Sequence, residues 1–360
     1  MTTLLEPDTV QQLVEVVRST AHLRATGAGT KPRLSAGDAT PLSTARLRGM
    51  IEYDPSEFTF TALAGTPVKE IAAALAERGQ YLPFDPMLVK SGSTLGGTVA
   101  AGLSGPGRFR FGGIRDFVLG VRFVDGSGRL LRLGSKVVKS AAGFDLPKFF
   151  VGSLGRFGIL AELTFKVFPR PASRLTLRLT AESIQSATRM LIESGNKRWQ
   201  PDAVDIVPGG KAVYLRLAGP STALEKIAAQ ILSHWAGEVL PREEADSLWS
   251  DLLEFRWAYQ EGPLFKVPLT PEVVSSFYKT MSERDGARIH LSAGGNVAFV
   301  SLRSNSDAKA LDENLRALGL SAVALRGDVQ LRLGVRQSQV IAASVKQALD
   351  PGNRFPAIEN

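Results

Sequence analysis

The chain has 360 residues, of which 44% are hydrophobic and 22% are charged, and it contains no cysteine. This length exceeds the roughly 250–300 residues at which one hydrophobic core stops growing, so we expect two domains. The absence of cysteine excludes disulfides, cysteine-ligated zinc and cysteine-ligated iron–sulfur clusters. The net charge of +8 is spread along the chain, without a basic helix or interleaved aromatic residues, and we expect no nucleic-acid partner.

Two segments determine what we expect about targeting. Residues 1–10 lack a basic start followed by an apolar run, so no secretory signal is predicted and a cytoplasmic location is expected. Residues 91–107 are uncharged but contain six glycines, which makes them unsuitable for a membrane span. Peripheral association with the inner face of the membrane stays open.

The first predicted elements alternate between helix and strand. An amphipathic helix is expected over residues 9–19, capped by Asp8, and a short strand follows over residues 22–26. A second helix is expected with Thr66 as its cap and Gly79 after its end.

A hairpin and a proline pair come next along the chain. Apolar residues on both sides of Asp-Gly-Ser-Gly at 125–128 predict two strands within residues 119–133. A further strand over residues 163–168 is predicted to stop at Pro169, and Pro171 follows. Because proline ends a strand and stiffens a linker, we expect the domain boundary at this pair.

Beyond the proline pair, the order strand, helix, strand, strand, helix, strand occurs twice, with a linking helix near residues 247–259. Two split βαβ units in tandem predict an antiparallel sheet with helices on one face. We therefore expect a first domain over residues 1–171, an α+β cap over residues 172–330, and a returning segment over residues 331–360. In that last segment a helix over residues 339–349 is expected to bury its apolar face on the first domain. In the first repeat, strands are predicted at 175–179 and 238–240, helices at 183–193 and 223–235, and a hairpin that turns on 208–210. In the second repeat, strands are predicted at 264–267, 288–291, 297–302 and 322–325, and helices at 271–281 and 308–318.

A short glycine loop follows the first strand. Gly27, Ala28, Gly29 and Thr30 present successive backbone N–H groups with little side-chain obstruction, which suits a pyrophosphate, and Lys31 adds positive charge. Such a turn is also common for purely structural reasons. Without a third glycine the pattern is not the Rossmann fingerprint, so we do not expect NAD binding through that fold.

A second glycine-rich segment, residues 91–102, is more informative. Its small residues allow the backbone to run close to a large planar ligand, and the hydroxyl groups of Ser93, Thr94 and Thr98 are candidate donors to phosphate or ring atoms. The alternative is a flexible linker, which is disfavoured because the apolar Leu95 indicates a packed segment.

Several motifs along the first half of the chain point to one family. They are Gly-Ser-Thr-Leu-Gly-Gly at 92–97 after Pro83, Gly-Gly-Ile-Arg-Asp-Phe-Val-Leu-Gly at 112–120, Gly-Phe-Asp-Leu at 143–146 and Val-Gly-Ser-Leu-Gly-Arg-Phe-Gly-Ile-Leu at 151–160. Together they resemble the vanillyl-alcohol-oxidase or PCMH-type FAD-binding fold, densely over about residues 20–171 and thinly beyond. Within that superfamily, three stretches of this chain are similar to the FAD-binding GlcE-type subunits of bacterial glycolate oxidases. They are Gly-Leu-Ser-Gly-Pro at 102–106, Arg-Asp-Phe-Val-Leu-Gly at 115–120 and Pro-Arg-Pro at 169–171.

The resemblance implies an α+β fold with a two-subdomain, PCMH-type FAD-binding domain and an α+β cap containing an antiparallel sheet. It implies that residues 27–31 hold the pyrophosphate, that residues 93–97 line the pyrophosphate and ribityl chain, and that residues 158–159 contact the adenosine half. The full implied set is Gly27, Ala28, Gly29, Thr30, Lys31, Pro86, Gly92, Ser93, Thr94, Leu95, Gly96, Gly97, Thr98, Ala101, Gly102, Ser104, Gly105, Gly112, Gly113, Gly158 and Ile159, with Gly102, Ser104, Gly105, Gly112 and Gly113 approaching the flavin.

The implied FAD is non-covalent. Members of this superfamily often tether FAD through a histidine beside the first glycine loop, and Thr30 stands near that place here. The absence of cysteine excludes a cysteinyl link as well.

The histidines and two carboxylates give no metal site. His22 and His234 are interpreted as structural. His290 lies in Ile-His-Leu-Ser-Ala-Gly-Gly-Asn, which keeps the turn of the family's Gly-His-x-Gly-Asp-Gly-Asn metal motif without its ligand cluster. Asp202 and Asp205 are interpreted as turn or surface groups. Since a single imidazole cannot build a multi-ligand site, we expect no metal.

Three arginines and the last residues leave alternatives open. Arg108, Arg110 and Arg115 are candidates to pair with phosphate or a substrate carboxylate, and equally to be salt-bridged loop residues. The family's C-terminal Asp-Pro-x-x-x-x-Asn-Pro-Gly appears here as Asp-Pro-Gly-Asn-Arg-Phe-Pro at 350–356, which lacks Asn-Pro-Gly and does not support a C-terminal flavin contact.

The resemblance implies an FAD-dependent oxidoreductase acting on the CH–OH group of 2-hydroxy acids. The preferred interpretation is a subunit that supports oxidation of glycolate to glyoxylate, beside a homologous FAD-containing catalytic subunit and an iron–sulfur subunit. Two alternatives stay open: a self-sufficient FAD-dependent 2-hydroxy-acid dehydrogenase, in which a cap arginine replaces the metal, and a non-catalytic assembly scaffold. The pattern identifies no catalytic residue, hydroxy acid, electron acceptor or stoichiometry.

Overall fold

The computed structural model describes residues 3–134, 145–282, 286–336 and 340–358. Gly143, Phe144 and Gln339, which belong to sequence predictions, lie outside these ranges. The chain divides into two compact units. The first comprises Met1–Ser104, Gly113–Arg170 and Gln337–Asn360, and the second comprises Gly105–Gly112 and Pro171–Arg336.

The elements before Pro171 are short and mixed. In chain order they are α1 Val10–Ser19, β1 Leu23–Thr26, β2 Thr40–Ser43, β3 Met50–Asp54, β4 Thr59–Leu63, α2 Val68–Glu77, β5 Gln80–Tyr81, α3 Leu95–Ala101, α4 Arg108–Phe111, β6 Val118–Val124, β7 Leu130–Gly134, β8 Ile159–Lys166 and β9 Phe168–Pro169.

The described residues of the first unit form three sheets. β1 and β2 form a parallel pair, and an antiparallel sheet has the order β3-β4-β8-β6-β7. β5 and β9 form a further pair. The predicted hairpin around residues 125–128 is confirmed, because β6 and β7 are antiparallel neighbours. One core joins Leu13 and Val17 of α1 to Leu23 of β1 and Ile159 of β8, so the predicted apolar face of α1 is buried.

Both predicted helix caps in this unit are wrong by one residue. Thr9 caps α1, because its hydroxyl oxygen accepts from the backbone N–H of Gln12 at 3.2 Å, and Asp8 lies outside the helix. Pro67 precedes α2, and the Thr66 hydroxyl instead donates to the carbonyl of Leu63 at 2.7 Å. The helices still lie where their apolar periodicity predicted them.

The second glycine-rich segment contains a helix that its composition did not predict. Thr94 caps α3 by accepting from the Gly97 N–H at 3.2 Å, and Gly102 ends the helix in the left-handed region at φ 60°. Gly96 packs against Ala64, where a Cβ would lie 2.8 Å from the alanine Cβ. Close packing therefore offsets the low helix propensity of the glycines.

The elements after Pro171 follow the predicted order with one extra strand. They are β10 Ser173–Thr180, α5 Ile184–Asn196, β11 Ala203–Ile206, β12 Ala212–Gly219, α6 Ser221–His234, β13 Gly237–Val239, α7 Arg242–Leu253, β14 Leu264–Pro268, α8 Val274–Ser282, β15 Arg288–Ser292, β16 Val297–Ser301, α9 Ala308–Ala317, β17 Ser321–Arg326, β18 Arg332–Gly334 and, in the first unit, α10 Val340–Leu349.

The second unit is built on one antiparallel sheet of order β13-β10-β12-β11-β15-β16-β14-β17-β18. The two repeats join where β11 pairs with β15. Residues of α5, α6, α8 and α9 share one core with the sheet, which confirms the α+β class. The linking helix α7 begins at Arg242 rather than residue 247, and its Trp249 packs with Ala203 and Tyr214 in a separate cluster.

The segment Gly105–Gly112 belongs to this second unit although it lies early in the chain. Phe109 packs against the core of the second unit. The Arg110 guanidinium donates to the Gln200 carbonyl at 2.5 Å and to its side-chain oxygen at 3.0 Å. Gly105 and Gly112, which were predicted to approach the flavin, thus cluster with the cap.

The prediction that α10 buries an apolar face is met in part. Ala342, Val345 and Leu349 are half-buried on the face that carries the buried Lys346, whereas Val340 is 71% exposed and Ile341 is 80% exposed. The helix clusters with the first unit, and its Lys346 ammonium donates to the Arg156 carbonyl of that unit at 2.8 Å.

Candidate functional site

A cleft in the first unit encloses about 700 Å³ of space, part of it open to solvent. Three chain segments form its walls: the loop after β1, the turn that leads into α3, and the loop before β8. Its lining residues are Ala25, Thr26, Gly27, Ala28, Gly29, Thr30, Lys31, Leu34, Ser35, Thr44, Ala64, Thr94, Gly96, Gly97, Ala100, Ala101, Ser153, Leu154, Gly155, Gly158, Ile159 and Leu160.

The first wall is open backbone. Within the described parts of the chain, no group accepts a hydrogen bond from the backbone N–H groups of residues 27–30. Gly29 has φ +70°, and a Cβ there would meet no atom within 4 Å. The Ser43 hydroxyl at the end of β2 donates to the Gly27 carbonyl at 3.3 Å, which fixes the loop to that strand. These amides are therefore available to a ligand in the cleft.

The second wall lies directly beside the first. A Cβ on Gly27 would clash with Thr94 Oγ1, which shows how closely the loop approaches the start of α3. The N–H of Gly96 donates to the Ala64 carbonyl at 2.7 Å, which fixes this turn to the strand β4 side of the unit. The two glycine-rich segments predicted to act together are therefore neighbours in the fold.

The third wall is the loop before β8, and the sequence prediction assigned only part of it to the cofactor. The N–H groups of Gly152 and Leu154 donate to the carbonyls of Val99 and Ala100 at 2.9 and 3.0 Å, which fixes this loop to the end of α3. Leu154 adopts φ 53°, a strained value for a residue with a side chain. The Gly-Ser-Leu-Gly motif at 152–155 was the available signal, but only residues 158–159 were assigned to the cofactor.

Two polar side chains give the cleft its electrostatic character. Lys31 is 9% exposed, and its Nζ donates to Thr30 Oγ1 at 2.9 Å. Burial lowers the pKa of the Lys31 ammonium to about 8. Ser153 is 4% exposed, and its Oγ has no hydrogen-bond partner among the described residues. Free amides, a cation and an unpaired hydroxyl together fit an anionic, polyol-containing ligand.

The structure brings part of the predicted cofactor set to this cleft. The predicted residues that line it are Gly27, Ala28, Gly29, Thr30, Lys31, Thr94, Gly96, Gly97, Ala101, Gly158 and Ile159. The predicted residues that do not line it are Pro86, Gly92, Ser93, Leu95, Thr98, Gly102, Ser104, Gly105, Gly112 and Gly113.

Three predicted hydroxyl groups instead support the local fold. Ser93 donates to the Met87 carbonyl at 3.0 Å, and Thr98 donates to the Thr94 carbonyl at 2.9 Å. Ser104 Oγ accepts from the Ile114 N–H at 2.8 Å. These groups shape the segments around the cleft.

The second unit holds a buried polar cluster where surface carboxylates were predicted. Asp202 and Asp205 are both 0% exposed, so their interpretation as turn or surface groups is wrong. Asp205 Oδ2 lies 2.7 Å from His290 Nε2 and accepts from Ser292 Oγ at 2.9 Å, while its Oδ1 accepts from the Ala293 N–H at 3.0 Å. Across the described ranges, no group of three or more His, Asp or Glu side chains is arranged to hold a metal ion.

The other histidines and the basic side chains considered as functional candidates do not share one environment. His22 is exposed, and His234 Nε2 lies 3.0 Å from Glu193 Oε1. Burial, and secondly the charge of Arg108, lower the pKa of Lys266 on β14 to about 8. Arg115 is exposed. The cap therefore contains two neighbouring cations, of which Lys266 was not foreseen from the sequence.

Residues 2–134 match a family described as FAD binding domain, which covers the first two walls of the cleft. The chain is 40% identical over 226 residues to glycolate oxidase subunit GlcE of Escherichia coli, covering 62% of this chain and 59% of GlcE. It is 34% identical over 140 residues to glycolate oxidase subunit GlcD of Bacillus subtilis, covering 39% of this chain and 30% of GlcD. The chain thus spans less than two thirds of each of these relatives.

Two further comparisons concern chemistry and fold. A D-2-hydroxyglutarate dehydrogenase of Xanthomonas citri is 30% identical over 179 residues, covering 48% of this chain and 38% of the dehydrogenase. A solved structure of alkyldihydroxyacetonephosphate synthase superposes with a TM-score of 0.68 and 16% identity, covering 98% of this chain and 76% of that one. At this identity the superposition establishes the fold alone. FAD as the cofactor and the predicted FAD-binding fold are both confirmed.

In the described part of the chain, no helix has both the length and the apolar character required to cross a lipid bilayer.

Proposed function

We propose that this chain, whose residues 2–134 match the FAD binding domain family, is the FAD-carrying subunit of a complex that oxidises glycolate or a related 2-hydroxy acid. Its proposed partners are a homologous FAD-containing catalytic subunit and an iron–sulfur subunit. We place the complex in the cytoplasm, with at most peripheral contact to the inner face of the membrane. The observation that carries the proposal is the cleft of free amides and a buried cation inside a domain similar to GlcE.

The cleft residues have distinct proposed roles toward FAD. The backbone N–H groups of residues 27–30 would bind the diphosphate, and the Lys31 ammonium would neutralise part of its charge. The close approach of Gly96 and Gly97 would let the cofactor lie along the start of α3. Residues 158–159 would contact the adenosine half through their backbone, and Ser153 Oγ would take up a hydrogen bond that the protein leaves unmade.

Oxidation of a 2-hydroxy acid removes a hydride from the carbon and a proton from the hydroxyl group, and it leaves a 2-oxo acid. Bound FAD supplies the acceptor for the hydride. This chain's cleft residues would bind and orient the diphosphate and the adenosine half of the cofactor. The similarity to two different glycolate oxidase subunits supports a cofactor-carrying subunit working beside a catalytic one.

One observation favours the self-sufficient dehydrogenase as a second candidate. Lys266 and Arg108 are close enough for the arginine charge to lower the pKa of the lysine. Two partly buried cations whose charges interact would attract a carboxylate, which every 2-hydroxy acid carries. In this second candidate they would replace the metal that is expected from the family's cap motif.

Purification of the chain alone and with its candidate partner subunits tests these functions. We expect the isolated chain to be yellow, and its flavin to be bleached by anaerobic glycolate or lactate only when the partners are present. Bleaching of the isolated chain would instead support the self-sufficient dehydrogenase. A colourless chain that joins the complex without FAD would support the assembly scaffold and contradict the proposal.

A further inference from the structure

A buried lysine fastens the last described residues to the first unit. Lys346 is 7% exposed. Its Nζ donates to Asp350 Oδ2 at 2.6 Å and to the carbonyls of Arg156, Phe355 and Pro356 at 2.8, 2.9 and 3.1 Å. Since an ammonium has three N–H groups, at least two of these acceptors share one. The α10 helix is therefore joined by a single cation to the segment that follows it and to the loop before β8.

Asp350 makes the same segment into a closed turn. It is 1% exposed, its Oδ1 accepts from the Arg354 N–H at 2.8 Å, and its Oδ2 accepts from the Phe355 N–H at 2.9 Å. A Cβ on Gly126 would clash with this carboxylate, so the turn sits flush against the β6–β7 hairpin. We refer to residues 346–357 as the C-terminal strap.

The strap contacts chain segments that lead into the cleft. The Arg156 Nε donates to the Ala357 carbonyl at 2.9 Å, and Arg156 lies between the lining residues Gly155 and Gly158. The N–H of Leu23 donates to the Arg354 carbonyl at 2.8 Å, and the strand that starts at Leu23 runs into the first glycine loop. Phe355 shares a buried cluster with Ile159. The strap therefore touches supports of the first and third walls without lining the cleft.

The loop that forms the third wall contains a strained residue that neighbouring contacts must stabilise. Leu154 has φ 53°, a backbone conformation that persists in a non-glycine residue only where its surroundings hold it. On the cleft side the loop is fixed to α3 through Gly152 and Leu154, and on the other side it is fixed by the Lys346 contact to the Arg156 carbonyl. Loss of the ammonium would leave that carbonyl and the Asp350 carboxylate buried without their cationic donor.

We propose that the C-terminal strap is a positioning element for the cofactor cleft: Lys346, held by Asp350, keeps the 153–158 loop in the conformation that binds FAD. Lys346 is a positioning residue, because it acts through the loop and touches no cleft atom. The inference rests on the proposed binding of FAD in this cleft. By thermodynamic reciprocity, a strap that supports FAD binding is itself stabilised when FAD binds.

The variant Lys346→Met tests the strap, with Gln347→Met as the matched control, because Gln347 is exposed on the same helix. Both variants are stripped of flavin and titrated with FAD, and flavin fluorescence is followed. We expect the dissociation constant of K346M to rise at least tenfold and that of Q347M to stay within twofold of the wild type. An unchanged dissociation constant in a folded K346M would overturn the proposal, whatever its melting temperature.

Hydrogen exchange in the wild-type chain tests the strap even if K346M does not fold. We expect FAD to slow amide exchange at least tenfold in peptides that cover residues 346–357. Peptides from α6 in the second unit should keep their rates. Unchanged exchange in the strap peptides would contradict the inference. Failure of the wild-type chain to bind FAD would instead contradict the proposed function, so the two failures are distinguishable.

Discussion

At the scale of single residues, Lys31 combines burial with a position immediately after the first glycine loop. A buried ammonium has lost much of its hydration, and burial lowers its pKa to about 8. A bound diphosphate would restore a favourable partner and raise the pKa of the ammonium again. If FAD binds as proposed, Lys31 would therefore couple cofactor binding to proton uptake above about pH 8.

We expect the variant Lys31→Met to bind FAD about tenfold more weakly than the wild type at pH 7, a loss of about 1.4 kcal/mol. Titration of the flavin-free protein measures this, with Lys69→Met on the exposed side of α2 as the control. Wild-type affinity at pH 7 in K31M would show that the cation does not face the cofactor.

The pH dependence has a definite sign. Below about pH 8 Lys31 is charged before FAD arrives, so the wild-type affinity is fully present. Above that pH, binding must take up a proton, so the affinity falls by at most about tenfold per pH unit until the raised pKa of the complex is passed. The slope should disappear in K31M, and a wild-type affinity that stays constant between about pH 7 and 9.5 would contradict the coupling.

The variant Gly27→Ala tests the close approach of the first two walls. The new Cβ would displace Thr94 Oγ1, which caps α3, so we expect FAD binding to weaken at least tenfold and stability to fall by about 1–2 kcal/mol. Gly195→Ala is the control, because that glycine lies in α5 of the second unit and a Cβ there would meet only Phe109, at an ordinary contact distance of 3.7 Å. Flavin content and urea unfolding give the two readouts, and equal results for both variants would refute the clash.

At the scale of elements, Asp205 connects β11 to β15 at the junction of the two repeats. Among the described residues, the two strands are registered through the pair of Ile206 with Leu291, and the buried Asp205 carboxylate adds side-chain hydrogen bonds at this junction. Its three partners are His290 Nε2, Ser292 Oγ and the Ala293 N–H. This cluster lies in the segment where the sequence resembled a metal motif, and in this chain it holds strands together.

We expect Asp205→Asn to destabilise the second unit by about 2–4 kcal/mol, because an amide has one accepting oxygen where the carboxylate has two, so either the Ser292 hydroxyl or the Ala293 N–H loses its acceptor. Asp246→Asn is the control, since that side chain is 76% exposed in an i,i+4 pair with Arg242. Urea unfolding checks the stability, and FAD titration should give the wild-type dissociation constant. Unchanged stability would mean that the buried carboxylate is dispensable at this junction.

At the scale of the whole molecule, we predict that the chemistry proposed for the chain requires no metal ion bound by this subunit. A protein metal site needs several ligands in one place, and no such group occurs in the described ranges. Dialysis against EDTA should therefore leave flavin content, and substrate reduction by the assembled complex, within twofold of their starting values. Activity that is lost on dialysis and restored by Mn²⁺ or Zn²⁺ would contradict this expectation unless the partner subunits bind the ion.

Local patterns were sufficient for much of the fold. Apolar periodicity located α1, α2 and the two split βαβ repeats. The buried face of a helix carries apolar residues three or four positions apart, and that of a strand carries them two positions apart. The Asp-Gly-Ser-Gly turn was equally legible, since it restricts its own backbone. The strand predicted to stop at Pro169 was less so, because β8 ends at Lys166 and Pro169 belongs to the short strand β9. Helix ends were less predictable, because both Thr9 and Asp8 can cap α1 and only the backbone geometry selects Thr9.

The sequence by itself determined the α+β class, the FAD cofactor and the first glycine loop, because these depend on short motifs and on residues that lack side-chain bulk. Only the tertiary structure decided that Ser153 lines the cleft, that Asp205 is buried, and that α10 buries the charged Lys346, whose ammonium donates to Asp350. Each of these depends on contacts between residues far apart in the chain. A polar group loses its water only when distant chain segments pack around it, and a local sequence pattern does not encode which segments pack together.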